Sequence, residues 1–187
     1  MFNGVLRTYT NVHAITWFAE NVWPLVRAGE ARTKLLIVGR DPRPEVIALG
    51  DLDAVTVTGE VPDPADYIVR AAICINSAQV GAGIQNKLIE FMAMRKAVVE
   101  TTVANEGIRA TPGDHLVIAD DARSFADAVL ALLADPARRD SLAEAARNYI
   151  LGHWSWEADF LTLEAAMLKA LEDSTPPQNA LSSPEGD

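Results

Sequence analysis

Lys87 and Glu90 interrupt an apolar stripe in the stretch GAGIQNKLIEFMAM, residues 81–94, which otherwise has the composition of a buried helix. Two chemistries are open to a lysine and an acid at this spacing. As an exposed i,i+3 ion pair they would stabilise the helix by about 0.2–0.5 kcal/mol. As part of a ligand site they would act with the glycines ahead of them. If Ile84 or Gln85 opens the helix, Gly81 and Gly83 let the backbone approach a ligand, and the first free N–H groups face it. Orphan donors and the helix dipole together favour an anion there. Lys87, one turn in, would lend a full charge. Glu90, a further turn along, could accept hydrogen bonds from sugar hydroxyls.

The elements that must position this stretch alternate along the chain. Strand signals fall at Phe2–Leu6, Lys34–Gly39, Ala54–Gly59, Ala72–Asn76, Ala97–Glu100 and His115–Asp120. Between the earlier ones lie helical segments. Asn11–Gly29 carries Val12, Ile15, Phe18, Val22 and Leu25 at helical spacing, with Asn11 as cap and Gly29 as stop. PEVIALG and Pro64–Ala72 are shorter helices, the second with proline at the favoured first position. After Asp120 the pattern is helical throughout, ending in a helix over Trp154–Glu172. Six strands interleaved with helices predict an α/β fold, a Rossmann-like open parallel sheet with helices on both faces. In such sheets ligands sit beyond the carboxyl ends of the strands, and the loop Asn76–Ile84 is one such position. Residues 1–173 read as one domain, and the Pro- and Ser-rich residues 174–187 as a disordered tail.

Composition narrows the classes. The chain has 187 residues, 49% of them hydrophobic, enough for one core. A net charge of −10 without a basic stripe argues against nucleic acid. The single cysteine, Cys74, excludes an internal disulfide and reads as a small buried residue. No run approaches a membrane span or a signal peptide, so a soluble cytoplasmic protein is expected. No metal site is expected either: Asp51 and Asp53 form a D-x-D in what should be a surface turn, and His13, His115 and His153 lack zinc spacing. GAGIQN lacks the third glycine of a dinucleotide fingerprint, and Ser77 has no nucleophile elbow around it. In ANEGI, residues 104–108, Glu106 and Gly107 follow a strand and either approach a ligand or form a plain turn.

Across Phe2 to about Glu157 the segments FNGVL…NVHAITWF, KLLIVGRDP, VTVTGEVPD, GIQNKLIEFMAM, AVVETTVANEGI, PGDHLVIADD and WSWE occur in one order. In that order the chain resembles the C-terminal, nucleotide-sugar-binding domain of family-four (group 1) glycosyltransferases with the GT-B fold. The likeness is greatest to sugar transferases of exosortase and exopolysaccharide gene clusters. The resemblance implies a retaining enzyme that moves a hexose from a nucleotide diphospho-sugar to a hydroxyl acceptor in polysaccharide or glycoconjugate synthesis. It implies that the nucleotide diphospho-sugar enters as substrate, with no further cofactor. The family's lysine and glutamate fall on Lys87 and Glu90, which it places on the leaving diphosphate and the ribose hydroxyls. Gly81, Gly83, Ile84, Glu106 and Gly107 would line the donor.

Departures accompany the likeness. The family commonly has a second acid at position 82, where this chain has Ala82, and a basic residue near position 79, where it has Gln79. Arg7 and Thr10 replace an acid and a proline of the family's first segment. The chain also begins at the first strand of the domain, so an N-terminal acceptor-binding domain or separate subunit is the expected partner. Peripheral membrane association would run through that half. The competing reading is a non-catalytic nucleotide-sugar-binding domain, truncated or partner-dependent.

Overall fold

The computed structural model describes residues 1–81, 83–154 and 156–174. All six sequence-predicted strands form: β1 Phe2–Asn3, β2 Leu35–Val38, β3 Val55–Val57, β4 Ile73–Asn76, β5 Ala97–Glu100 and β6 Val117–Ile118. Their ladders are parallel, β1-β2-β3 in one set and β4-β5-β6 in the other. Met1 ties the two together. Its nitrogen donates to Ile73 O at 2.8 Å, and its carbonyl accepts from Ile75 N–H at 2.9 Å. The resulting order is β3-β2-β1-β4-β5-β6, with the order reversing between β1 and β4. That is the arrangement of a Rossmann-type sheet, and the reversal opens a crevice at the carboxyl ends of those strands.

Side-chain alternation along the strands supplies two apolar faces. Phe2, Ile37, Ile75 and Val99 share one core with Ile15, Phe18 and Val22, and with Phe125 and Val129 of helix α7, Ala122–Ala134. Cys74 and Val98 alternate to the other face, covered by helix α5, Asn86–Ala93, whose Leu88, Phe91 and Met92 are fully buried.

The first helix differs from its sequence reading in two ways. Helix α1 spans Tyr9–Trp17, so Thr8 stands at its cap, and Asn11, read as the cap, lies inside the first turn. A helix can begin before its first apolar residue when the turn ahead is held otherwise; here Thr8 Oγ1 and Asn11 Nδ2 both donate to Val5 O, each at 3.0 Å. The segment Phe18–Val22 then widens to a π turn before α2, Trp23–Gly29. Pro24 supplies the reason: it lacks an N–H and crowds the carbonyl four residues back, which a wider turn relieves.

Residues 1–151 form one compact unit and 152–187 a second. The sequence pattern runs a single domain to residue 173. In the last helix, Trp156–Ser174, the side chains of Phe160, Leu161, Leu163, Met167, Leu168 and Leu171 are exposed. Within the tail expected at 174–187, residues 175–187 lie outside the described residues. Among the described residues no helix is long and apolar enough to cross a membrane.

Candidate functional site

A cavity of ≈ 510 Å³ opens at the β1/β4 reversal. It is built from strand ends and two helix starts: Asn3 at the end of β1 and Gly4 after it, Gly39 and Arg40 after β2, Glu60 after β3, Thr8 and Asn11 at α1, and Gln85 to Lys87 with Glu90 at α5. The turns beyond the three strands carry these groups because the sheet ends there and its last carbonyl and amide groups need partners. A larger cavity, ≈ 660 Å³, lies at the amino ends of β2 and β4, around Lys34, Leu35, Ala72 and Ile73. It holds none of the sequence-predicted site residues and sits at the wrong edge of a parallel sheet for a ligand of this fold.

Lys87 and Glu90 do not make an exposed ion pair. Lys87 is 9% exposed, donates from Nζ to Asn11 Oδ1 at 2.5 Å and stands 4.3 Å from the centre of the Phe2 ring. Burial pulls its amine down to about 7, and the charge of Glu90 opposes this. Glu90 is exposed to the cavity, and its Oε2 accepts a long hydrogen bond from Asn3 Nδ2 at 3.4 Å. Desolvation raises its pKa, Lys87 lowers it, and Asp63 raises it further. A buried cation and a partly desolvated acid thus face one polar space from a single helix, about one turn apart.

The predicted glycines lie beside this cavity rather than in its wall. Gly81 and Gly83 adopt φ of +107° and +103°, a region that side chains rarely enter, so glycine is needed at both. A Cβ on Gly81 would stand 2.7 Å from Thr10 Cγ2, which joins this loop to α1. Ile84 is exposed, and α5 begins at Asn86 behind it. The loop after β5 holds a short helix α6, Thr102–Asn105, where the sequence suggested a turn; Glu106 is exposed at its end. Gly107 then meets the first loop directly. A Cβ there would stand 2.4 Å from Gly83 O and 2.7 Å from Ile84 N. The structure therefore brings Gly83, Ile84 and Gly107 together and sets Lys87 and Glu90 in the adjoining cavity. Replacing Gly107 by alanine should cost about 1–3 kcal/mol of stability, measured by urea unfolding, because backbone on both sides must move. An unchanged urea midpoint would show that the two loops do not meet as tightly as this.

Among the polar lining residues that the sequence did not mark as site residues are Asn3, Asn11, Arg40 and Glu60. Arg40 and Glu60 sit two or three residues past a strand and Asn3 ends one, which was the available signal. The other elements are structural. Asp53 pairs with Arg27 and its carbonyl accepts from Trp23 Nε1 at 3.0 Å, while Asp51 ends a 3₁₀ turn. Among the described residues no three His, Cys, Asp or Glu side chains gather as a metal site would require. Cys74 is buried, and desolvation pushes its thiol up to about 11.

A parallel sheet with helices on both faces and a polar cavity at its reversal defines a Rossmann-like ligand-binding domain. The chain belongs to the family of glycosyl transferases group 1, which matches residues 1–135. It is 28% identical over 141 residues to an uncharacterised 44.6 kDa protein in the cps region of Klebsiella pneumoniae, spanning 70% of this chain and 36% of that protein. A variant of S. aureus TarM solved with UDP is similar with TM-score 0.71 and 17% identity, over 84% of this chain and 32% of TarM. Sucrose-phosphate synthase from Thermosynechococcus elongatus gives 0.73 and 22%, over 92% and 45%. The C-terminal domain of a group 1 glycosyl transferase from Francisella tularensis gives 0.66 and 15%, over 83% and 85%. These structures share the open parallel α/β fold of GT-B glycosyltransferases with this chain, which spans 36%, 32% and 45% of the first three proteins.

Proposed function

We propose that this chain is the donor-binding, C-terminal half of a retaining glycosyltransferase that moves a hexose from a nucleotide diphospho-sugar to a hydroxyl acceptor. The observation that carries the reading is the convergence of Lys87 and Glu90 on the cavity at the β1/β4 reversal. The N–H groups near Gly83 and Ile84, with Lys87, stabilise the charge that develops on the departing phosphate. One such donor is worth about 3 kcal/mol in a transition state. Glu90 accepts from the ribose hydroxyls, and Glu106 and Gly107 lie toward the sugar. Coverage of 85% of the Francisella C-terminal domain supports assignment to that half, and the relative in a cps region supports polysaccharide synthesis, in line with the exopolysaccharide-cluster resemblance. A cytoplasmic site of action, an acceptor-binding partner domain and peripheral membrane contact through it belong to the same reading.

A second reading has its own observation. Ala82 and Gln79 stand where the family commonly has an acid and a basic residue, a loss that a non-catalytic or partner-dependent binding domain would tolerate. Calorimetric titration with uridine and guanosine diphosphates, with and without EDTA, followed by a turnover assay with the nucleotide-sugar, separates these. Binding of one diphosphate, indifferent to chelator, is expected because no metal is needed to hold it. Binding without turnover favours the partner-dependent domain; no binding of either nucleotide removes both readings.

A further inference from the structure

Asn11 is committed at both ends of its amide. Nδ2 donates to Val5 O at 3.0 Å, in the turn between β1 and α1, which leaves Oδ1 to accept from Lys87 Nζ. The turn is tight around it, since a Cβ on Gly4 would stand 2.7 Å from Asn11 Nδ2. The lysine amine is therefore oriented by a neutral oxygen and an aromatic face, with no acid at ion-pair distance among the described residues. Its own helix contributes Glu90; the other charged groups of the cavity are Glu60 beyond β3 and Arg40 beyond β2.

We propose that Asn11 is a positioning residue of this site: it aims the Lys87 amine without supplying a counter-ion, and leaves that place to the phosphate oxygens of the ligand. This rests on the nucleotide-sugar reading above. An aspartate of the same shape would hold the ammonium permanently and compete with the ligand. An amide orients the amine and leaves it desolvated, so an arriving diphosphate is the charge that compensates it. Burial already brings the free amine to about 7. Ligand binding near neutral pH then takes up a proton at Nζ, and affinity falls as pH rises past that value.

The chain has four lysines, Lys34, Lys87, Lys96 and Lys169, so carbon-13 lysine NMR resolves each titration, with Lys87→Arg identifying the signal. Asn11→Asp should raise the Lys87 midpoint by about 1–3 pH units, as an opposite charge at this distance does. In calorimetry it should weaken uridine or guanosine diphosphate by about tenfold and flatten the pH dependence. Asn11→Ala removes the acceptor without adding charge. It should weaken binding at every pH and leave the midpoint at or below the wild-type value. Equal midpoints in the wild type and Asn11→Asp, or a midpoint raised as far by alanine, would overturn the proposal. If neither diphosphate binds the wild type, the donor-site reading falls, and the lysine midpoints still decide the role of Asn11.

Discussion

Replacing Glu100 by glutamine should raise unfolding free energy by a few kcal/mol near pH 8 and flatten its decline from about pH 5. Glu100 ends β5, is fully buried, and has neither carboxyl oxygen hydrogen-bonded. Its register partner on β4, Asn76, is equally buried, and both its amide atoms lack partners. In-register residues of parallel strands face the same side, so the two polar groups lie beside each other under α5. Desolvation pushes the acid from an ordinary 4.5 up to about 8. The sign follows from proton counting. The folded chain keeps this proton up to about pH 8, while the unfolded chain releases it near 4.5, so stability is full below 4.5 and lost as pH rises through 8. Each pH unit in that window is worth about 1.4 kcal/mol. Lys87, lowered to about 7, acts in the opposite sense and at higher pH, which leaves the interval between about 5 and 7 to the acids. Urea unfolding at several pH values measures the slope. Parallel curves for wild type and Glu100→Gln would mean that the carboxyl is ionised in the folded protein.

The position of this pair matters for the site. Asn76 opens the loop that carries Gly81 and Gly83, and Glu100 is one residue before Thr101. The Thr101 hydroxyl donates to Ala78 O, and its N–H donates to Asn76 O at 3.3 Å. Both loops that meet at Gly83 and Gly107 thus spring from one buried polar row.

Glu90→Gln should weaken nucleotide binding by about 1–3 kcal/mol while folding changes little. The substitution keeps shape and helix propensity, and it removes a charge-assisted acceptor from the cavity wall. Glu90 has one long contact, with Asn3, and otherwise faces the cavity, so the fold depends on it weakly. A ribose diol offers two O–H donors, which a carboxylate accepts and an amide only half matches. Titration of both proteins with uridine and guanosine diphosphates reads the difference directly. Equal affinities, with clear binding by wild type, would remove Glu90 from the ribose. The same variant also abolishes the charge that supports protonation of Lys87, so its loss of affinity should grow as pH rises toward about 7 and level off above it.

Much of this molecule is legible in one dimension. Runs such as LLIV and ICIN are apolar on both faces, which a parallel sheet covered by helices requires, and glycine and proline punctuate the helices between them. Six strands and their alternation follow from local composition. Lys87 and Glu90 were visible for a similar reason: polar residues inside an apolar helical stripe conflict with simple burial, and the conflict is local. Tertiary structure decided what that conflict means. Met1 pairs with Ile73 and Ile75 across more than seventy residues, which places the end of β1 beside α5 and so puts Asn3 on Glu90 and Asn11 on Lys87. No spacing in the chain encodes that register, because it is chosen by how two faces of apolar side chains pack. Burial is likewise a property of neighbours distant in sequence. It sets the charge of Lys87 and Glu100, turns an apparent surface pair into a desolvated cation facing an acid, and brings Gly107 against Gly83 where the sequence showed only two separate loops.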